Sequence, residues 1–223
     1  MGLRELKKQQ TRELIYNTAW RMFAARGFDR VTVAEVAREA QVSLATVFNY
    51  FPSKEDIFYG RMEAQGTRLV EAVRARKAGE PVIVAFRRHL DSSEGLLARA
   101  AAGDSAALDQ LRTLNRLIAG SQALQARELL ALARTGESLA AVLAAETEPA
   151  DDVSAHVVAN ALMAAHRTLI DNVRKRVLAD ESPADLARDL QKASETAFAL
   201  LARGLGDYGR TSSTQSPTPP STP

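Results

Sequence analysis

Residues 11–58 read TRELIYNTAWRMFAARGFDRVTVAEVAREAQVSLATVFNYFPSKEDIF. Tyr16, Ala19, Met22 and Phe23 recur at helical spacing. The helix they predict, over 4–26, closes at Gly27, with Phe28 placed for the apolar contact of a glycine C-cap. Thr32 and Glu35 form a capping-box pattern ahead of Val33, Val36 and Ala37, predicting a short helix over 33–40. Ser43 is placed to cap another over 44–50. Two short helices joined by so tight a turn, with Val36, Ala37, Val42 and Val47 inward, read as a helix-turn-helix. The same spacing also suits a tightly packed helical hairpin with ordinary caps. Ser53 and Asp56 repeat the capping pattern behind Pro52 and start a fourth helix, predicted over 54–76.

Working outward, the chain's eight prolines fall at Pro52, Pro81, Pro149, Pro183 and four tail positions. These are places where a helical reading wants breaks, because proline in a helix interior costs roughly 3 kcal/mol. Between them run Ala/Leu/Arg/Glu-rich segments, such as the stripe Val158, Leu162, Ala165, Leu169 and Val173. Further helices are predicted near 81–101, 104–118, 121–146, 151–179 and 184–205. No alternating strand pattern stands out, so the fold class is all-α. Residues 207–223 are rich in Gly, Ser, Thr and Pro without an aliphatic residue and are expected to be disordered.

The 223 residues include no cysteine. That excludes disulfides, Cys-ligated zinc and a thiol nucleophile. No apolar run approaches the ~20 residues of a membrane span, and the polar N-terminus lacks a signal-peptide core. A cytoplasmic protein is expected, without a membrane partner. Lys and Arg outnumber Asp and Glu 13 to 9 over 1–76 but trail 16 to 18 over the remainder. A polyanion partner for the first part and a merely solvated helical surface both accommodate this asymmetry.

On a wheel of 100° per residue, Val47 and Phe51 lie on the inward side of the second short helix, with Leu44 three positions before Val47. Ala45 and Asn49 fall opposite, with Thr46 and Tyr50 along one flank and Phe48 along the other. Small and hydrogen-bonding residues on such a face fit a major groove about 12 Å wide. Thr, Asn and Tyr reach phosphates or base edges, and Ala and Leu meet thymine methyls. Lys54 is placed to meet a phosphate. Thr32 and Ser43 sit at helix starts, where backbone N–H groups favour phosphate oxygens.

Taken together, the helix ending in ARGF, then TVAEVAREA, then VSLATVFNYFPSKEDIF, resemble the N-terminal domain of a TetR-family transcriptional regulator. The resemblance covers about a quarter of the chain. It implies a homodimer whose two recognition helices read a palindromic double-stranded DNA operator, and a C-terminal domain that senses a small molecule. By position, Thr32, Ser43, Leu44, Ala45, Thr46, Asn49, Tyr50 and Lys54 match the family's DNA-contacting residues. Gln41 stands where the family usually has Gly, which implies a non-glycine residue in a left-handed conformation at a cost of roughly 1 kcal/mol. Phe48 and Asn49 replace a commoner pair beginning with Tyr, and Tyr50 replaces a frequent His.

The domain organisation expected is a helix-turn-helix domain over 1–60, a linking helix over 54–76, a ligand-binding and dimerisation domain over 77–206, and the tail. Val153, Val157 and Ala161 form one stripe in the last two helices, and Leu186, Leu190, Ala193, Ala197 and Leu200 another. They suit intramolecular packing or a four-helix dimer interface. Of 12 aromatic residues, Phe86, Phe198 and Tyr208 alone lie beyond 76, so a pocket there would be walled by Leu, Ala, Val and Met. That favours an aliphatic effector over a cationic one. His89, Asn115, Gln122, Asn160, His166 and Arg167 are polar residues within apolar helices and are the effector-site candidates. The histidines lack metal spacing, and no cofactor is expected. No phosphate loop, nucleophile elbow or HExxH motif occurs, so an enzyme is not expected. The reading is a one-component repressor. Alternatives are a DNA-binding protein of the same fold without an effector, and a helical-bundle enzyme or lipid carrier.

Overall fold

The computed structural model describes residues 2–60, 63–91, 96–146 and 152–205. Among these the chain forms eleven α-helices and no strand: α1 Leu3–Arg26, α2 Val33–Glu39, α3 Leu44–Tyr50, α4 Lys54–Tyr59, α5 Glu63–Arg74, α6 Val82–Asp91, α7 Leu96–Ala101, α8 Ser105–Ala119, α9 Gln122–Ala144, α10 Asp152–Leu178 and α11 Pro183–Leu205. No described helix is long and apolar enough to cross a membrane. The tail over 207–223 lies outside the described residues.

Helix boundaries follow local chemistry where that chemistry is strong. Gly27, at φ 86°, ends α1 with its N–H on the Phe23 carbonyl, and Phe28 returns to bury its ring 5.0 Å from that of Phe23. The helix expected over 54–76 is instead found as α4 and α5. Gly60 closes α4 with its N–H on Ile57 O at 3.4 Å, and its own carbonyl accepts from Arg12 Nη2 at 3.2 Å. A Cβ at Gly60 would lie 2.9 Å from Cε1 of the Phe51 ring. The close approach of Phe51 requires a residue without a side chain at position 60, and residues 61–62, between α4 and α5, lie outside the described residues. Over the helix expected at 81–101 the described residues form α6 and α7, and 92–95 between them lie outside the described residues.

Three apolar cores organise these helices. The first gathers Ile15, Phe23, Phe28, Val36, Val47, Phe51, Ile57 and Phe58 of α1–α4, and it also takes in Leu117, Ile118 and Leu124 from α8 and α9. The second lies among α5, α6, α9, α10 and α11, around Phe86, Leu139, Leu162 and Phe198. The third joins α7, α8, α10 and α11 through Ala100, Leu108, Leu111, Val173, Val177 and Leu186. Leu186 is thus interior core, and Leu190 packs against it, whereas Leu200 of the same stripe is 63% exposed.

Candidate nucleic-acid interface

Each helix of the α2–α3 pair is started by a side chain that supplies the hydrogen bond its first turn lacks. Thr32 Oγ1 accepts from the Glu35 N–H at 3.2 Å, while Glu35 Oε2 accepts from the Thr32 N–H and hydroxyl, both at 2.8 Å. Arg26 Nη2 donates to Glu35 Oε1 at 2.8 Å. These bonds, the Thr32 backbone first and Arg26 next, hold the Glu35 carboxyl down to about 2. Ser43 Oγ accepts from the Thr46 N–H at 2.9 Å, and the two hydroxyls lie 2.7 Å apart. Between the helices Gln41 adopts φ 55°. Its N–H reaches Arg38 O, and that of Val42 reaches Ala37 O.

On α3 the inward side is Val47, fully buried, with Phe51 beyond it at 2% exposure. Ala45 and Asn49 are exposed. Leu44 and Phe48 join them at 45% and 46% exposure. Phe48 is the residue that the sequence-based assignment left out, although its i,i+4 relation to Leu44 marks a second apolar row beside Val47 and Phe51. Thr46 is half-buried over Ser43, and Tyr50 is half-buried against the first core. Arg4, Lys7 and Lys8 near the start of α1 are exposed.

Lys54, expected to meet a phosphate, is turned inward. Its Nζ donates to Phe28 O at 3.2 Å and Val31 O at 3.1 Å, and it lies 4.2 Å from the centroid of the Phe28 ring. It ties the start of α4 to the connection between α1 and α2.

The six effector-site candidates do not converge. His166 of α10 is half-buried with its Nδ1 shielded from solvent, edge-on to Phe86 at 6.1 Å. Burial, with His89 of α6 nearby, holds its pKa down to about 4. Burial and Arg68 lower that of His89 as well. Asn115 is buried, with its amide on Leu111 O of its own helix at 2.8 Å. Gln122 is exposed at the start of α9. Asn160 and Arg167 are exposed on α10. Among the described residues no group of three or more His, Asp or Glu is placed to hold a metal ion.

Comparison with known proteins accounts for both halves. Residues 15–59 match the family model for bacterial regulatory proteins of the tetR family. Residues 84–206, more than half of the chain, match the MftR C-terminal domain. The chain belongs to the TetR family of transcriptional regulators. TcmR of Streptomyces glaucescens, an HTH-type transcriptional regulator, is 33% identical over 79 residues, which is 35% of this chain and 35% of TcmR. The HTH-type transcriptional regulator LuxR of Vibrio harveyi is 51% identical over 51 residues, 23% of each chain. The chain thus spans about a third or less of the length of these curated relatives. GusR of Salmonella enterica shares the fold over 88% of this chain and 96% of its own, at a TM-score of 0.52 and 19% identity. TcmR and LuxR are transcriptional regulators, not enzymes. Within this TetR-family chain, the specific sequence likeness to named relatives is confined to short stretches, while the C-terminal match is one of domain type.

Proposed function

We propose that this TetR-family chain is a ligand-responsive repressor, which binds a palindromic operator as a homodimer and is released by a small-molecule effector held within 77–206. The observation that carries the reading is the outward row Leu44, Ala45, Phe48 and Asn49. These side chains are exposed on a short helix whose own first turn is already capped. Asn49 reads a base edge, and Leu44, Ala45 and Phe48 make the apolar contacts that thymine methyls accept. Thr32, Ser43, Thr46 and Tyr50 flank the row and are assigned to phosphates. Lys54 acts as a brace that fixes the helix-turn-helix against α4.

Two half-sites lie about 34–36 Å apart on DNA and need two readers. Val153 and Val157 on α10, at 75% and 59% exposure, and Leu200 on α11 support a dimer face there. Asn160 and Arg167 are exposed on the same α10 helix, and we assign them to that face. His89 and His166 remain as polar anchors for an effector within aliphatic walls. Effector binding shifts α4 and changes the separation of the two recognition helices. Selection of random duplex DNA by the purified cytoplasmic-type protein at ~150 mM salt, near physiological ionic strength, tests the reading. A palindrome with half-sites one helical turn apart is expected; no enrichment by a folded sample would overturn it.

A further inference from the structure

Polar contacts join the helix-turn-helix domain to the rest of the chain in two places: the Ser121 hydroxyl, at the start of α9, donates to Asp29 Oδ1 at 2.7 Å, and a larger set gathers on α4. Asp56 divides its carboxylate between two tasks. Oδ2 accepts the Ser53 hydroxyl at 2.7 Å within the cap that starts α4. Oδ1 accepts Nε and Nη2 of Arg127, from α9, at 3.1 and 3.0 Å. The two side chains are 20% and 12% exposed, so solvent screens the pair poorly. At the other end of α4, the Tyr59 hydroxyl donates to Leu124 O of α9 at 3.0 Å, and the Arg127 guanidinium lies 6.0 Å from the Tyr59 ring centroid. Glu128, adjacent to Arg127, accepts Nη2 of Arg174 from α10 at 2.7 and 2.8 Å.

We infer that Arg127 is a positioning residue through which α9 and α10 set the orientation of α4 and the DNA-binding helices, an inference that rests on the operator-binding dimer proposed above. The apolar contacts of Leu117, Ile118 and Leu124 with the first core are non-directional and permit sliding. A guanidinium donating through two nitrogens to one carboxylate oxygen is directional. Because that carboxylate belongs to the cap of α4, movement of α9 is delivered to the start of α4, two residues from the Lys54 brace. Arg127 and Glu128 are neighbours on one helix, so a shift of α10 felt at Arg174 is carried to Asp56 within a single turn. Arg174 Nε is buried without a hydrogen-bond partner among the described residues. An unmet buried donor costs free energy in this arrangement and so narrows the gap to any arrangement that satisfies it.

The test uses the full-length protein and duplexes carrying its selected half-site, with the spacing between half-sites varied by one and two base pairs. Affinities are read by fluorescence anisotropy at ~150 mM salt. The unmodified protein is expected to prefer one spacing by about tenfold, within the usual range of coupling between sites. Arg127→Met is expected to flatten that preference to about threefold. Arg127→Lys, which keeps the charge but loses the planar fork, is expected to fall between. Equal losses at every spacing would make Arg127 merely structural and overturn the inference, as would an unmodified protein indifferent to spacing. If Arg127→Met does not fold, an unchanged spacing ratio in Arg127→Lys overturns it instead. Failure of the unmodified protein to bind any duplex is a different result, seen before any variant is made, and it removes the operator-binding reading itself.

Discussion

Around Phe58, four aromatic rings sit with centroids between 5.1 and 6.2 Å away, those of Trp20, Phe23, Phe28 and Tyr59. The second core, around Leu139 and Leu162, is mostly aliphatic, with Phe86 and Phe198 as its buried aromatic pair. Flat rings in edge and tilted contacts constrain one another's angles as well as their separation. Aliphatic side chains fill volume with weaker angular demands. The aromatic core underlies helices of six and seven residues that must hold a fixed pose. The aliphatic core lies between helices of 23 and 27 residues, whose length supplies contact area instead. Rigidity is thus concentrated where short elements present a row of side chains outward.

The comparison is broken most directly by removing its central ring. Phe58→Ala is expected to lower unfolding free energy by about 3–5 kcal/mol, as a buried phenylalanine does when a cavity replaces it. Leu139→Ala, fully buried in the second core, is expected to cost about 2–5 kcal/mol. Urea midpoints measure both. Since the first core includes Leu117, Ile118 and Leu124, each variant should still unfold in one transition. Two separated transitions in Phe58→Ala would show the aromatic core to be independent of α8 and α9.

Acid separates the two regions by chemistry. Burial holds His166 from 6.5 down to about 4, so the unfolded chain takes up the proton first. The stability linked to it is complete above pH 6.5 and is lost as pH falls to about 4, an amount of about 3 kcal/mol. Glu35, held from 4.5 down to about 2 by its cap and Arg26, contributes stability that is complete above pH 4.5 and lost toward pH 2. His166→Gln is expected to flatten most of the fall in Tm between pH 6.5 and 4, and Glu35→Gln the fall below 4.5. His89 and Arg68, which also act on this cluster, stay in place in both variants. An unmodified protein whose Tm is constant from pH 6.5 to 4 would contradict the assignment for the second region.

Features decided within four residues were legible before any coordinates. The caps at Thr32, Ser43 and Ser53 and the Gly27 stop came from short-range patterns, the left-handed Gln41 from the family resemblance, and each is found. Features decided across long separations were not. Lys54 turns toward carbonyls 23 and 26 positions earlier. Gly60 is packed against Phe51 and accepts from Arg12, 48 positions away. Arg127 meets Asp56 across 71 positions. Of the outward row on α3, Ala45 and Asn49 followed from helical geometry. Helical geometry put Phe48 on the flank of that row without assigning it a contact, and Leu44 entered through the family resemblance, since its spacing from Val47 pointed inward. In the C-terminal half the candidates were polar residues within apolar helices, a pattern that does not say which neighbour a helix face meets.

Lys54 and Asn49 separate bracing from reading. Lys54→Ala removes two charge-assisted bonds to carbonyls, expected to cost about 1.5–3 kcal/mol of stability, and it should leave the salt dependence of DNA binding unchanged. A slope smaller by about one would instead restore a phosphate contact. Asn49→Ala is expected to weaken specific binding by about 1–3 kcal/mol, with non-specific binding and Tm unaltered. Equal specific and non-specific losses would move Asn49 to the DNA backbone.

The smallest expected effect concerns the turn that joins the two short helices. Gln41 holds φ at 55°, where a side chain costs roughly 1–2 kcal/mol that glycine does not incur. Gln41→Gly also frees the unfolded chain, which takes back about 0.4–1 kcal/mol. The balance is a gain of about 0.5 kcal/mol, read as a slightly raised urea midpoint at constant slope. Gln41 is exposed and its backbone bond to Arg38 O needs no side chain, so nothing else is removed with it. A loss of stability would mean that the glutamine side chain makes a compensating contact in the turn. A gain accompanied by a relaxed spacing preference on DNA would mean that the strained turn contributes to the pose of α3, placing angular rigidity in the backbone as well as in the aromatic core.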